Sequence, residues 1–194
     1  MVMFKFYLDT GALNRLSGLD GKKLEEFKKR FNSKDAKLIF THVQVDERYS
    51  HKTKQKYQEI VDKTINILRN KGIQIQVENS KGVIVDISRC NYSTFSSQDI
   101  SKVYDKLDEE INACEKAKQK QKDPMNVKRD AIICVSPLEY SHLITCDKCL
   151  CDSFNKVIKE NKELVEKVMI PKAKIANQSS EAIADCILKS FSIK

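Results

Sequence analysis

The sequence predicts an α/β fold built on a parallel sheet with helices over both faces. Three observations carry that reading. Short apolar runs alternate along the chain with amphipathic helical periods, the order expected of parallel strands joined by crossover helices. The first run, residues 4–9, is apolar on both sides of its period, as a central parallel strand is. Four acids, Asp9, Glu47, Asp130 and Asp147, each stand at the edge of an apolar segment. Open α/β sheets place their ligands at the carboxyl ends of such strands.

The elements follow in chain order. After the 4–9 strand, Gly11 suits a tight turn into a short helix over 12–16. Within 21–32, Leu24, Phe27 and Phe31 share one helical face and most of the lysines lie off it. Residues 37–45 begin as a second strand, and the chain turns helical towards Glu47. From 52 to 70, Tyr57, Ile60, Val61, Thr64, Ile67 and Leu68 recur at helical spacing, with Gly72 marking the end. Residues 73–77 and 83–87 read as short strands around Asn79-Ser80-Lys81-Gly82, a hairpin turn or a strand extension.

A further helix starts at Ser96 or Ser97 and carries Ile100, Val103, Tyr104, Leu107, Ile111 and Cys114 on one face. It runs into a lysine-rich stretch that Asp123-Pro124 breaks. Residues 126–140 form the next helix, ended or kinked by Pro137, and 143–146 the next strand. A helix over 152–159 and a short strand over 168–170 precede Pro171. Ser179 or Ser180 then caps a helix striped by Ile183, Cys186, Ile187 and Phe191.

At 194 residues with no internal linker, residues 1–194 read as a single domain. Within it, 48–128 is an elaborated middle segment and 171–194 a C-terminal helical extension. No apolar stretch approaches the ~20 residues that span a bilayer, and no signal peptide is read, so no membrane partner and a cytoplasmic location are expected. The seven cysteines are then expected to be reduced. Cys146, Cys149 and Cys151 near His142 suggest a zinc cluster, but half of a four-ligand pattern is missing, which favours buried or reactive thiols.

Carboxylates gathered in one crevice repel one another unless a divalent cation neutralises them. The pattern therefore points to a Mg²⁺ or Mn²⁺ site acting on phosphates. At least one acid is expected to hold its proton more tightly than a free side chain. Asp9→Asn, which removes one repelling charge, is expected to leave the metal-free chain no less stable. The hydroxyls of Thr10 and Thr145 stand next to these acids as outer support for a ligand or a metal-bound water. Each acid also has an ordinary reading: a strand-end surface residue for Asp9, a residue near a helix N-terminus for Asp130, a turn residue for Asp147. Asp46 competes with Glu47.

The formal charge of +8 favours a polyanionic partner. Lys118, Lys120, Lys122, Lys128 and Arg129 precede Asp130, and Lys52 and Lys54 follow Glu47, so all are candidate backbone-phosphate contacts. The plain alternative is a solvated face. With no Trp, and most Phe fitting core faces, no base-stacking platform is evident. His42, His51 and His142 form no nucleophile–base pattern.

Four blocks together resemble the acidic motifs of PIN-domain nucleases, VapC-type toxins among them. They are Tyr7-Leu8-Asp9-Thr10-Gly11-Ala12-Leu13, the stretch from Thr41 to Tyr49 with Glu47, Arg129-Asp130-Ala131-Ile132-Ile133, and Leu143-Ile144-Thr145-Cys146-Asp147-Lys148. The resemblance implies a three-layer fold with a central parallel sheet of about five strands flanked by helices. It implies that Asp9, Glu47, Asp130 and Asp147 are the catalytic acids and hold Mg²⁺ or Mn²⁺, and that RNA is cleaved endonucleolytically. It further implies an antitoxin protein as partner and a homodimer, for which the helix with Ile183, Ile187 and Phe191 is a candidate contact, although that stripe suits packing on its own sheet equally well. The chain departs from compact members in its long Glu47–Asp130 interval, and Asp152 stands where some members use an extra acid. The alternatives are an RNA-maturation nuclease, a phage-defence effector, or a non-catalytic nucleic-acid-binding module.

Overall fold

The computed structural model describes residues 4–41, 54–78, 80–82, 93–95, 98–118, 124–136, 141–163, 173–175 and 179–191. In chain order the strands are β1 (Phe4–Leu8), β2 (Ala36–Thr41), β3 (Ile75–Glu78), β4 (Ser80–Gly82), β5 (Ser93–Phe95), β6 (Ser141–Thr145) and β7 (Ala173–Ile175). The helices are α1 (Thr10–Leu16), α2 (Gly21–Asn32), α3 (Lys54–Asn70), α4 (Gln98–Ala117), α5 (Pro124–Val135), α6 (Lys148–Glu160) and α7 (Ser180–Ser190). The fold is α/β, as expected, and its main sheet is parallel throughout, in the order β3-β2-β1-β6-β7.

Alternation along the strands divides the apolar residues between two faces. Tyr7 is in register with Ile39 of β2 and with Leu143 of β6. That row packs with Ile100, Val103, Leu107 and Ile111 of α4, Ala131, Ile132 and Val135 of α5, and Leu150, Phe154 and Val157 of α6. Phe6, Leu8, Leu38, Phe40 and Ile144 face the other way, onto α1, α2, α3 and α7. β1 is the middle of this body, its side chains from Phe6 to Leu8 buried on both faces. Much of the 48–128 stretch belongs to the same body, because β3 pairs with β2 and α4 fills one face.

Helix ends follow their caps. Gly72 has φ +78°, and the N–H of Ile73 reaches back to the Leu68 carbonyl at 2.9 Å. Leu68 and Ile73 are buried together, completing the αL stop that closes α3. Gly72→Ala is expected to cost about 1 kcal/mol, because an L side chain resists the left-handed region. A fall in melting temperature of ~2–4 °C checks this. Pro124, expected only as a breaker, opens α5 at its first position, where a missing N–H costs nothing.

Several expectations are corrected. Gly11 lies inside α1 and takes no left-handed turn. The strand passes directly into the helix because Asp9 caps it. Helix α6 starts at Lys148 and not near 152, because Asp147 caps it in the same way. Ser80–Gly82, read as a hairpin turn or a strand extension, is a strand, and it pairs in parallel with β5. Among the described residues the last strand lies at Ala173–Ile175, beyond Pro171. The expectations for 83–87 and 168–170 lie outside the described residues.

The stripe on α7 is occupied within the chain. Ile183 and Ile187 are fully buried against the sheet, and the Phe191 ring stands edge-on to Phe4 and Phe6 at 5.1 and 5.5 Å. That face is therefore not exposed for a second copy. No helix among the described residues is long and apolar enough to cross a membrane.

Candidate functional site

The parallel register brings the carboxyl ends of β1 and β6 side by side, since Leu8 pairs with Ile144. The residues that follow each strand consequently meet. Asp9 follows β1, and its N–H donates to the Ile144 carbonyl at 3.1 Å. Thr145 ends β6, and Asp147 lies two residues beyond. α5 passes alongside and brings Asp130. These elements surround a cleft of about 490 Å³ lined by Asp9, Asp130 and Asp147 together with Thr10, Lys118 and Lys148.

Asp9 is the most buried of the three cleft acids, only 8% exposed. One carboxylate oxygen accepts from the Ala12 N–H. The other accepts from the Thr145 hydroxyl and, at 3.2 Å, from the Cys146 N–H. The Asp147 N–H in turn donates to the Thr145 hydroxyl oxygen at 2.9 Å. Burial pushes the Asp9 pKa above its ordinary 3.8; the hydroxyl and two N–H donors pull it back, and the nearby Asp147 charge adds to the rise. One acid thus holds its proton more tightly, as expected, but chiefly through desolvation and less through crowding.

Asp147 is half-buried and caps α6, accepting from the N–H groups of Cys149 (2.8 Å) and Leu150 (3.2 Å). Asp9 and Asp147 therefore support their helices whatever else they do. Asp130 differs. It sits in the interior of α5, outside the first turn, so the helix macrodipole does not account for it.

The remaining predicted residues fall into three groups. Thr145 is fully buried under Asp9, and Thr10 lines the cleft mouth. Of the cations, Lys118 lines the cleft and is exposed. Arg129 donates to Asn126 of its own helix at 3.1 Å, and Lys128 lies close enough to Asp108 of α4 to draw its raised pKa partly back down. Neither is among the cleft-lining residues. Lys54 opens α3, while Glu47, Lys52, Lys120 and Lys122 lie outside the described residues. Asp152 is exposed on α6 and does not line the cleft. Lys148 was missed: as the first helical residue after the Asp147 cap it faces the cleft, and Asp147-Lys148 in the sequence was the only signal for it.

The cysteines depart from expectation. Cys114 of α4 and Cys149 of α6 form a disulfide, Cα–Cα 5.9 Å. The expectation of uniformly reduced thiols fails because packing of α4 on α6 brings together two residues 35 apart in sequence. Cys149 is thereby withdrawn from any zinc cluster with Cys146 and Cys151. Burial raises both of these free thiols to about 11 and Cys134 higher still, which keeps them in the protonated, less nucleophilic form.

Asp9, Asp130 and Asp147 supply only oxygen donors, the chemistry that suits Mg²⁺ or Mn²⁺. Among the described residues no three acid, His or Cys side chains are drawn together tightly enough to enclose an ion, and Glu47 lies outside them. The chain matches no known protein family, no curated protein and no solved structure.

Proposed function

We propose that this chain is a divalent-metal-dependent endoribonuclease with a PIN-like fold, and that the cleft at the carboxyl edge of β1 and β6 is its active site. One observation carries the reading. Three acids from three separate elements, Asp9, Asp130 and Asp147, line one cleft whose mouth carries Lys118 and Lys148. Acids serving only as helix caps have no reason to be joined by Asp130. Exposed lysines beside them suit a ligand that carries both a metal-binding group and further negative charge.

In this reading Asp9, Asp130 and Asp147, with Glu47, would hold Mg²⁺ or Mn²⁺, which supplies Lewis acidity and an activated water at a phosphate. The chain's own part is positional. Thr145 and the Ala12 and Cys146 N–H groups fix the Asp9 carboxylate, so that it meets a cation without reorganising. Lys118 and Lys148 attract the phosphate backbone past the negative cleft floor. An antitoxin that blocks the cleft fits a toxin role, and RNA maturation and phage defence fit the same chemistry.

A second reading has its own observation: Asp9 and Asp147 both cap helices, which a non-catalytic nucleic-acid-binding module would also need. Incubation of total RNA with the protein and Mn²⁺ separates them. Cleavage with mapped internal ends that EDTA abolishes is expected. RNA bound but left intact with Mn²⁺ and with Mg²⁺ would select the binding module.

A further inference from the structure

We propose that the Cys114–Cys149 disulfide is a redox-sensitive clasp that holds Lys118 at the mouth of the acidic cleft, so that its reduction weakens nucleic-acid binding. The inference rests on the nuclease reading of the cleft and adds its regulation. Both bridged residues touch cleft-lining residues through their backbones. The Lys118 N–H donates to the carbonyls of Cys114 and Glu115, each at 3.2 Å. The Cys149 N–H donates to Asp147 at 2.8 Å. The bond thus ties the turn that presents a cleft cation to the turn that is capped by a cleft acid.

The rest of α4 is held differently. Its apolar grip on the sheet runs through Ile100, Val103, Tyr104, Leu107 and Ile111, and stops there. Beyond Ile111, Cys114 is half-buried, Glu115 is buried, and Lys116–Lys118 are exposed. Helix ends fray unless something fixes them, and here the covalent tie falls in the last turn. Cys149 lies at the capped start of α6 and is only 1% exposed. Opening the bond therefore removes the covalent hold on the Lys118 end, which keeps only the buried Glu115 beside it, and leaves the Asp147 end packed.

The chemistry is ordinary thiol–disulfide exchange with a dithiol reductant. A thiolate of the dithiol attacks the more accessible Cys114 sulfur and Cys149 leaves as thiolate, which takes up a proton. The second thiolate of the dithiol then displaces Cys114 and closes its own disulfide. Two electrons and two protons pass to the protein, giving two cysteine thiols, and the dithiol leaves oxidised.

The test compares oxidised and dithiothreitol-reduced protein, their thiol state read by alkylation and mass, on a labelled single-stranded RNA with Mn²⁺. Reduction is expected to raise KM several-fold with kcat little changed. The log–log salt dependence of 1/KM should become shallower by about 0.7, the share of one single-strand phosphate contact. Oxidised Lys118→Ala should match reduced wild type and no longer respond to reductant. Cys114→Ser, where it folds, should match reduced wild type in both conditions. Equal KM and salt slope in the two redox forms would overturn the clasp and leave the nuclease reading standing. So would a loss confined to kcat, or a Lys118→Ala protein that still responds to reductant. No Mn²⁺-dependent cleavage in either form would instead overturn the nuclease reading, and the clasp with it.

Discussion

Asp130→Asn is expected to remove the rise in melting temperature that Mg²⁺ or Mn²⁺ would give at the proposed site, while leaving the protein in EDTA melting within about 2 °C of wild type. The two halves of that result have separate causes. A ligand that binds only the folded state stabilises it by about 2.7 kcal/mol at a hundred times its dissociation constant. For a chain of this length that corresponds to roughly 5–10 °C. Asp130 lies inside α5 and is not the N-cap of its own helix, and asparagine keeps its shape and one acceptor oxygen, so the charge is removed with little change to the helix. Cleavage should fall by more than the ~10–100-fold that loss of an outer metal partner costs. Melting curves in EDTA and in millimolar metal, set beside RNA cleavage rates, check both halves. A metal response equal to wild type would remove Asp130 from the site.

Asp9→Asn is expected to behave differently, lowering the melting temperature by about 2–10 °C even in EDTA. The expectation from charge repulsion alone was that this change would be harmless, and the hydrogen bonds reverse it. Asp9 accepts from Ala12, Thr145 and Cys146 on its two oxygens. An asparagine has one acceptor oxygen, so its amide N–H₂ must face donors on one side. A buried donor left without its acceptor costs about 1–3 kcal/mol. Loss of activity in this variant thus mixes folding with chemistry, and Asp130→Asn is the cleaner test of the metal.

The same pair of proteins exposes the titration of Asp9. Its folded pKa lies above the unfolded 3.8, so the folded state binds the proton more tightly. The stability this lends is complete below 3.8 and is lost as pH rises through the folded value. Asparagine does not titrate there. The melting-temperature advantage of wild type over Asp9→Asn should accordingly be largest in acid and shrink as pH rises. Added Mg²⁺ should stabilise wild type least in acid, where Asp9 is protonated, and increasingly as the carboxylate ionises. An advantage that grew with pH in EDTA would contradict the buried setting of Asp9.

Periodicity carried the reading of α2, α3, α4 and α7, because each buries a broad apolar stripe whose spacing survives in the sequence. β1 was legible for the related reason that a central strand is apolar on both faces. The starts of α1 and α6 were not. Asp9 and Asp147 read as site acids, and the same carboxylates prove to be the caps that begin those helices a turn or less earlier. β4 and β5, three residues each, bury no periodic face that a sequence pattern can reveal. At the cleft, Asp9, Asp130, Asp147 and Lys118 were legible as charges beside apolar runs. Lys148 and the Cys114–Cys149 tie were not, because both depend on how α4 and α6 pack, which local spacing does not encode.

The central place of β1 also sets an order of events during synthesis. β1 must wait for a neighbour whose contact with it, Thr145 on Asp9, spans 136 residues. At ~5–20 residues per second, that neighbour emerges on the order of ten seconds after Asp9 does. Closing so long a stretch of chain costs entropy that no local contact repays, which makes such pairings late steps in folding. A nascent chain that ends before β6 has Asp9 but no Thr145 to hold it and no Asp147 beside it. Whatever activity the cleft supports is therefore expected only once synthesis has passed Asp147, and fragments that end before it are expected to be silent.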